Sequence, residues 1–581
     1  MAGKTMKKGF MIFFIGVLTP LLLFSLEGTD SSFYPFAREL AEKYHIKSYR
    51  FAHPWSRQRI KLFIEEGREK EELFTPTERE LFDQYAARLF SGGKRAFDRG
   101  LVNISIPEGG LSLSFQGRGG YISGEKIEGT PHHLDYLLYT GGIRIKGASG
   151  HFDFGLSFND ETMHGDLDIL KENMTRSFYD ETGEWVTEQR TVKDLFLNNR
   201  GWGWTNLNED ASELYFDRAD TYVSYTIPGI SVTAGKQTNA WGPGESGSLF
   251  LSSHATSYNQ VRFVFDWGPL SLVSLTGGLR SHEKEEMIVE PGADPKDRYR
   301  KKYLAAHRLE YAIGGKHHLA FQEGVIYADK AVQLGYALPF NFFWSEQHYE
   351  GDRDNVIMGM DGRVTVMAGL VLHGEILLDD LSVKKLSDFR RTKSAYTVGM
   401  RYYPHFFDNA FFSVLYTRIN PLVYTHRYNI DNYTHYGSLL GHVLGPNSDD
   451  LRARVSLRPA PGWSLTASVF RIRFGLNYIN DSMIYVNVGG DVQRPDLLSS
   501  DVPEEYAFLG GAKKELQGIE ASVEKIIMKK NVKIPFYEIS AKGGMKFEHC
   551  TYHRPDDLGE NLYGEGSSFS AFVIIGVNYG Y

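Results

Sequence analysis

Phe569-Ser-Ala571-Phe-Val573-Ile-Ile575-Gly-Val577-Asn-Tyr579-Gly-Tyr581 is the stretch on which the fold turns. Counted back from Tyr581, every second residue is apolar or aromatic, a period of two that belongs to a strand. The opposite face is small and polar at Gly576, Asn578 and Gly580. A transmembrane barrel strand has this character, with one side against hydrocarbon and the other against a wet lumen. The edge strand of a soluble sheet also alternates, and the amino end separates the two readings.

That end carries Lys4, Lys7 and Lys8, then an apolar run from Phe10 to Leu26 that gives way to polarity at Glu27. The order matches a secretory signal peptide over residues 1–28, with Ser25 to Gly28 as the cleavage zone. Pro20 breaks the run, and its length falls short of the roughly 20 residues a helical span needs. The whole chain of 581 residues holds 60 Gly, 34 Tyr and 38 Phe, and no second long apolar run follows the first, so strands must do any spanning. A closed barrel is the strand structure that satisfies its backbone in lipid, and the outer membrane is the expected location. Cys550 is the single cysteine, which excludes a disulfide framework, and a net charge of -8 with both signs abundant carries no nucleic-acid signature.

Two regions follow the signal. Residues 30–95 are helical in pattern: Phe36, Leu40 and Tyr44 share one stripe, and Thr75-Pro-Thr-Glu78 offers an N-cap, a proline at the first helical position and a capping-box glutamate. A segment this small packs on something larger, and its position before the first strand places it on the periplasmic side. From residue 98 the period becomes two. Phe152, Phe154, Leu156 and Phe158 alternate with polar or small neighbours, and Leu451, Ala453, Val455 and Leu457 face away from Arg452, Arg454, Ser456 and Arg458. Tight turns at Ile227-Pro-Gly-Ile230, Trp267-Gly-Pro-Leu270 and Arg458 to Trp463 separate long polar stretches near 160–214, 238–257, 280–303, 424–450 and 478–515. Short turns are periplasmic and long loops external in such barrels, and residues 98–581 at roughly 27 per strand and loop give about 18 antiparallel strands.

Two glycine-rich segments sit among the long loops. Gly235-Lys-Gln-Thr-Asn-Ala-Trp241-Gly-Pro-Gly244 leads to Leu249-Phe-Leu251 and His254, and Tyr436-Gly-Ser-Leu-Leu-Gly441-His-Val-Leu-Gly445-Pro446 leads to Asp449 and Asp450. In these segments the sequence resembles the Wzi family of capsule-assembly proteins, which carry a comparable Trp-Gly-Pro-Gly segment before a short apolar strand and a late Gly-His…Gly-Pro loop. The resemblance implies a barrel of about eighteen strands, closed below by helices, that holds capsular or extracellular polysaccharide to the outer membrane. It also implies partners in outer-membrane lipid and in periplasmic export machinery. Sugars offer flat apolar faces and rings of hydroxyls, so Trp202, Trp204 and Trp241 with His254, Asp449 and Asp450 are the candidate binding residues. Arg452, Arg454 and Arg458 are expected to line the lumen and to pair with carboxylates there.

A porin for carbohydrates or other small solutes is the alternative, favoured by an open lumen. A hydrolase is not expected. Ser252-Ser253-His254 is the nearest approach to a nucleophile and base, yet neighbours on a strand point oppositely. Glu350 to Asn355 lacks the spacing of a calcium loop, and the His132-His133 and His317-His318 doublets split across a strand, so neither a metal nor a cofactor is expected.

Overall fold

The strand Gly566–Tyr579 pairs antiparallel with Gly109–Lys126, with Tyr579 opposite Phe115 and Ala571 opposite Ser123, and this seam closes a barrel. The computed structural model describes residues 32–89, 102–106, 109–127, 132–180, 183–198, 200–203, 205–287, 296–379, 393–404, 407, 409–495, 506–528, 536–553 and 566–579. The expected signal peptide, Trp204 and Tyr581 lie outside them. Twenty strands join the barrel sheet, and two of them, Val102–Ile106 and Asn206–Leu207, pair on one side only. The remaining eighteen form the closed antiparallel ring, as the alternation predicted.

The two faces divide as their residues dictate. On the strand Phe152–Gly165, Phe152, Phe154 and Phe158 are exposed outward, while Asp153, Ser157 and Asn159 are buried toward the lumen. The turns at Pro228-Gly229 and Gly268-Pro269 are tight because Gly229 and Gly268 take positive φ, at 80° and 66°. Of the long polar stretches, 280–303 mostly continues into strand: Leu270–Met287 and Lys296–Ile313 are 18 residues each.

Three helices precede the ring: α1 (Phe33–Tyr44), α2 (Arg57–Glu69) and α3 (Pro76–Leu89). The capping box forms at α3, where Glu78 N–H donates to Thr75 Oγ1 at 3.2 Å and Thr75 N–H to Glu78 Oε2 at 2.8 Å. Ser56 caps α2 by accepting from Arg59 N–H. Phe33, Phe36, Leu40, Trp55, Phe63 and Phe82 make a small core of the helices' own.

This module sits at the tight-turn end of the barrel. Arg50 donates to the Gly268 carbonyl at 2.8 Å, Thr75 Oγ1 to Asn409 Oδ1 at 2.6 Å, and Arg59 pairs with Asp266 beside the same turn. Its deepest tie is Glu42, whose carboxylate takes two hydrogen bonds from Arg401 at 2.9 and 2.7 Å and one from the Tyr403 hydroxyl at 2.8 Å. Arg458 pairs with Glu39. The helices are therefore held to the tight-turn end of the wall through charged groups that are themselves buried.

Glu42→Gln leaves the Arg401 guanidinium buried with part of its charge uncompensated, a loss on the order of 3 kcal/mol in the docking of the helices. Tryptic cleavage within residues 32–89 of the purified, heat-modifiable barrel is expected to accelerate at least tenfold in this variant. An unchanged cleavage rate would show that the helices are held by other contacts.

Candidate functional site

The segment 238–257 folds into the barrel rather than out of it. Ala240 and Trp241 form a two-stranded sheet with His53 and Ala52 of the helical module, and Gly242 N–H donates to the Phe51 carbonyl at 3.3 Å. Trp241 N–H donates to the Leu251 carbonyl at 2.9 Å, and the Trp241 ring lies parallel to Phe250 with centroids 5.9 Å apart. Trp241 is 0% exposed and belongs to the central apolar core of the lumen. The expectation of an outward sugar-stacking ring at Trp241 is thereby corrected. Glycine and proline specify a tight turn there, and an indole at its tip is most stable where its large apolar area leaves water.

The second glycine-rich segment meets the first. The Tyr424 hydroxyl donates to the Leu249 carbonyl at 2.6 Å, the Tyr433 hydroxyl to the Phe250 carbonyl at 2.8 Å, and Ser252 N–H to the Leu440 carbonyl at 2.8 Å. Ser246 Oγ lies 3.2 Å from His442 Nε2. The two segments that carry the family resemblance are thus one packed unit inside the barrel. The Ser252 hydroxyl donates to the Leu440 and Gly441 carbonyls and so ties the two segments together.

Glu245 of the inward segment anchors this unit to the wall: it accepts from Ser413 at 2.8 Å and lies 3.3 Å from Arg401, 3.8 Å from Arg38 and 3.9 Å from Arg454. Glu375 on the wall receives Gly244 N–H and Leu249 N–H, each at 2.8 Å. Of the three expected lumen arginines, Arg454 and Arg458 line an internal cavity, and Arg452 pairs with Glu520 at 2.8 Å.

That cavity, of about 910 Å³, runs between the helices, the inward segment and the wall. Trp202 and His254, both half-buried, line it. Trp202 stacks on Phe216 with centroids 4.0 Å apart, and the Arg200 guanidinium covers the Phe196 ring at 3.5 Å. Gly201 makes this approach possible, because it has φ of 65° and a Cβ there would sit 1.6 Å from the His254 carbonyl oxygen. Asp449 and Asp450 do not join the cavity. Adjacent strand residues face opposite ways, so Asp449 lies on the outward side with Leu451, bound by Arg473 Nε at 3.0 Å, and Asp450 faces inward beside Arg452. The expectation that both serve one ligand is corrected on that ground.

The sequence model of the family described as capsule assembly protein Wzi matches residues 175–280, which include Trp202, Trp204, Trp241 and His254. Among solved structures, the chain is similar to Wzi of Escherichia coli, an outer-membrane protein involved in group 1 capsule assembly and described as a carbohydrate-binding β-barrel. The two share 12% identity and a TM-score of 0.52 over 94% of this chain and 98% of that one. The chain has the fold of that barrel. OprD of Pseudomonas aeruginosa matches at 12% identity and a TM-score of 0.40, over 81% of this chain and 94% of that one. OccAB2 of Acinetobacter baumannii matches at 8% and 0.44, over 81% and 98%. A search of curated proteins finds no match in sequence.

The interior of this Wzi-like barrel holds groups whose protonation opposes its packing. Burial pushes His53, His435 and His442 each down to about 3, so all three are neutral where they stand. Burial also raises the Glu42 carboxyl, but Arg401 and Arg363 outweigh it and leave Glu42 below its ordinary 4.5. Glu245 is lowered in the same way by Arg38, Arg401 and Arg454 against burial. Each group binds fewer protons folded than unfolded, so docking is complete above pH 6.5 and weakens as pH falls, through the histidines first and the carboxylates below 4.5.

The urea concentration at which near-ultraviolet circular dichroism, the signal of the packed aromatic rings, is half lost is expected to fall as pH drops from 6.5 to about 4. A midpoint unchanged across that window would contradict the assignment of neutral, buried histidines.

Proposed function

We propose that the chain binds a capsular or extracellular polysaccharide and helps to assemble or attach it at the cell surface. The observation that carries this reading is the position of the Wzi-matched segment. It supplies Trp202, His254 and the inward turn, and so contributes one side of the cavity beside a stoppered lumen. Trp202 is already held flat by Phe216, which fixes its orientation before a ligand arrives and reduces the ordering cost of stacking a sugar ring on its other edge or face. His254, Ser246 and Arg454 place polar groups around the same space, the pairing of apolar face and fixed hydrogen-bonding groups that carbohydrates require.

The porin reading is weaker on the same geometry. Helices stop the lower end, and two loop segments fill the middle through buried hydrogen bonds and an apolar core. Diffusion of solutes needs a wide continuous wet path, and these segments take up part of the lumen. In the binder reading, contact with periplasmic export machinery falls to the helices, the part of the chain at the tight-turn end.

Trp202→Ala combined with His254→Ala removes one stacking surface and one polar group. Loss of a stacking contact costs on the order of 1 kcal/mol, a several-fold weakening per site that repeating sugar units amplify. Cells carrying the double variant, with the barrel still heat-modifiable, are expected to shed polysaccharide into the medium while total synthesis is unchanged. Full retention of cell-attached polysaccharide in the folded variant would reject this site.

A further inference from the structure

Between the strands His317–Ala328 and Asn355–Met367 the chain makes a lobe over residues 329–354, with short helices at Leu334–Ala337 and Phe343–Tyr349. It folds neither inward nor into the space above the barrel. Leu309, Tyr311, Leu319 and Phe321 are exposed and mark the outward face of two adjacent strands. On that same face, two-residue steps away, Ala305, Val325 and Tyr327 are fully buried, and Val356 and Met358 on the next strand are nearly so. Tyr336, Phe343 and Trp344 of the lobe cover them and form an apolar core outside the barrel wall.

Beneath this cover lies a polar pair. Glu323, 0% exposed, points outward with its carboxylate 3.1 Å from His307 Nε2, and it accepts Phe343 N–H at 2.9 Å and Trp344 N–H at 2.7 Å. A carboxylate on a lipid-facing strand is intolerable in hydrocarbon, and the lobe gives this one its hydrogen-bond donors.

The lobe's own surface is divided by charge. Asp329, Lys330, Glu350, Arg353 and Asp354 cluster at its root, joined by Lys330 to Asp354 at 2.7 Å and Arg353 to Asp329 at 3.1 Å. Between Lys330 and Glu346 there is no charged residue. Leu334 and Phe340 are 81% and 70% exposed, and Leu338 and Phe342 are exposed beside them. The tip reaches down the wall, since the Phe340 ring is 5.4 Å from Phe265, two residues before the exposed Trp267 at a tight turn. Irregular backbone is tolerated at membrane depth where its polar groups are paired. Here Ala337 N–H donates to Gln333, Asn341 N–H to Leu338, and the Asn341 amide to the Gly335 carbonyl at 2.8 Å.

We propose that residues 331–345 are a membrane-inserted lobe outside the barrel, and that its partner is the acyl-chain hydrocarbon of the outer membrane. Continuity with the lipid-facing band at Phe265, an uncharged tip and a charged root fix that choice of partner. The lobe widens the apolar belt and shields a wall position that strands alone would leave polar.

The test uses the full mature chain with Cys550→Ser and one new cysteine, Phe340→Cys or, separately, Leu334→Cys, each labelled with a nitrobenzoxadiazole fluorophore. Leu334 is largely free of packing, so its variant guards against misfolding at Phe340. Protein is reconstituted into phosphatidylcholine vesicles with brominated acyl chains. Val398→Cys on the exposed wall and Asp481→Cys in an outer loop serve as lipid and water references. Both lobe positions are expected to be quenched by bromolipid as strongly as Val398 and protected from aqueous iodide, which quenches Asp481. Iodide quenching at both lobe positions would overturn the proposal by placing the lobe in water. Protection from both quenchers would overturn it in favour of a second copy of the chain covering the lobe.

Discussion

Arg401 holds the structure together at the point where three otherwise separate parts meet. Its guanidinium leaves the barrel wall, binds Glu42 of the first helix twice, donates to the Pro243 carbonyl at 3.1 Å, and lies 3.3 Å from Glu245. Both Arg401 and Glu42 have 0% exposed side chains. Burying such a pair adds little stability by itself, because desolvation offsets most of the attraction. Its geometric demand is strict, however: a buried guanidinium needs acceptors in its own plane, and here the wall supplies the guanidinium while the acceptors come from the helix and the inward loop. A displaced helix or loop leaves a charge stranded, so the alternatives to the closed arrangement are penalised more than the arrangement itself is rewarded.

Once those parts are locked, the character of each wall position follows from what covers it. The lumen is polar at Arg308, Glu310 and Asp361, which form a fully buried network beside the helices. It is apolar where loops dock: Tyr136, Leu138, Met163 and Phe216 face inward and pack against Phe196, Leu197 and Trp202. The outer face shows the reverse exception, with Glu323 outward and covered by a lobe. Polarity in this barrel therefore tracks contact with water, lipid or protein at each site, with the side of the wall as a secondary guide.

That distinction sets what was legible in the sequence. Strand alternation at Phe152–Phe158 and in the last strand comes from a period that lipid imposes directly, so the fold and the strand number could be read. The capping box at Thr75 and Glu78 is equally local, because both partners lie three residues apart. The destination of a loop is not local. Gly242 and Pro243 announce a turn, yet whether Trp241 points to the medium or into the lumen depends on Phe250, Tyr433 and the Ala52–His53 pairing, remote in sequence. Asp449 and Asp450 were legible in principle, since adjacency on a strand already separates their faces. The outer lobe also left a signal, the uncharged stretch from Ala331 to Ser345, which is long for an exposed loop.

The central claim is that helices and inward loops together stopper the barrel, so that it presents a binding surface and does not conduct. Single-channel recording of the intact mature chain in planar bilayers at neutral pH tests this most directly. The structure predicts no steady open-channel steps, at most brief and small events. A stable conductance of the size given by an open diffusion porin would contradict it and would require the lumen to be a passage.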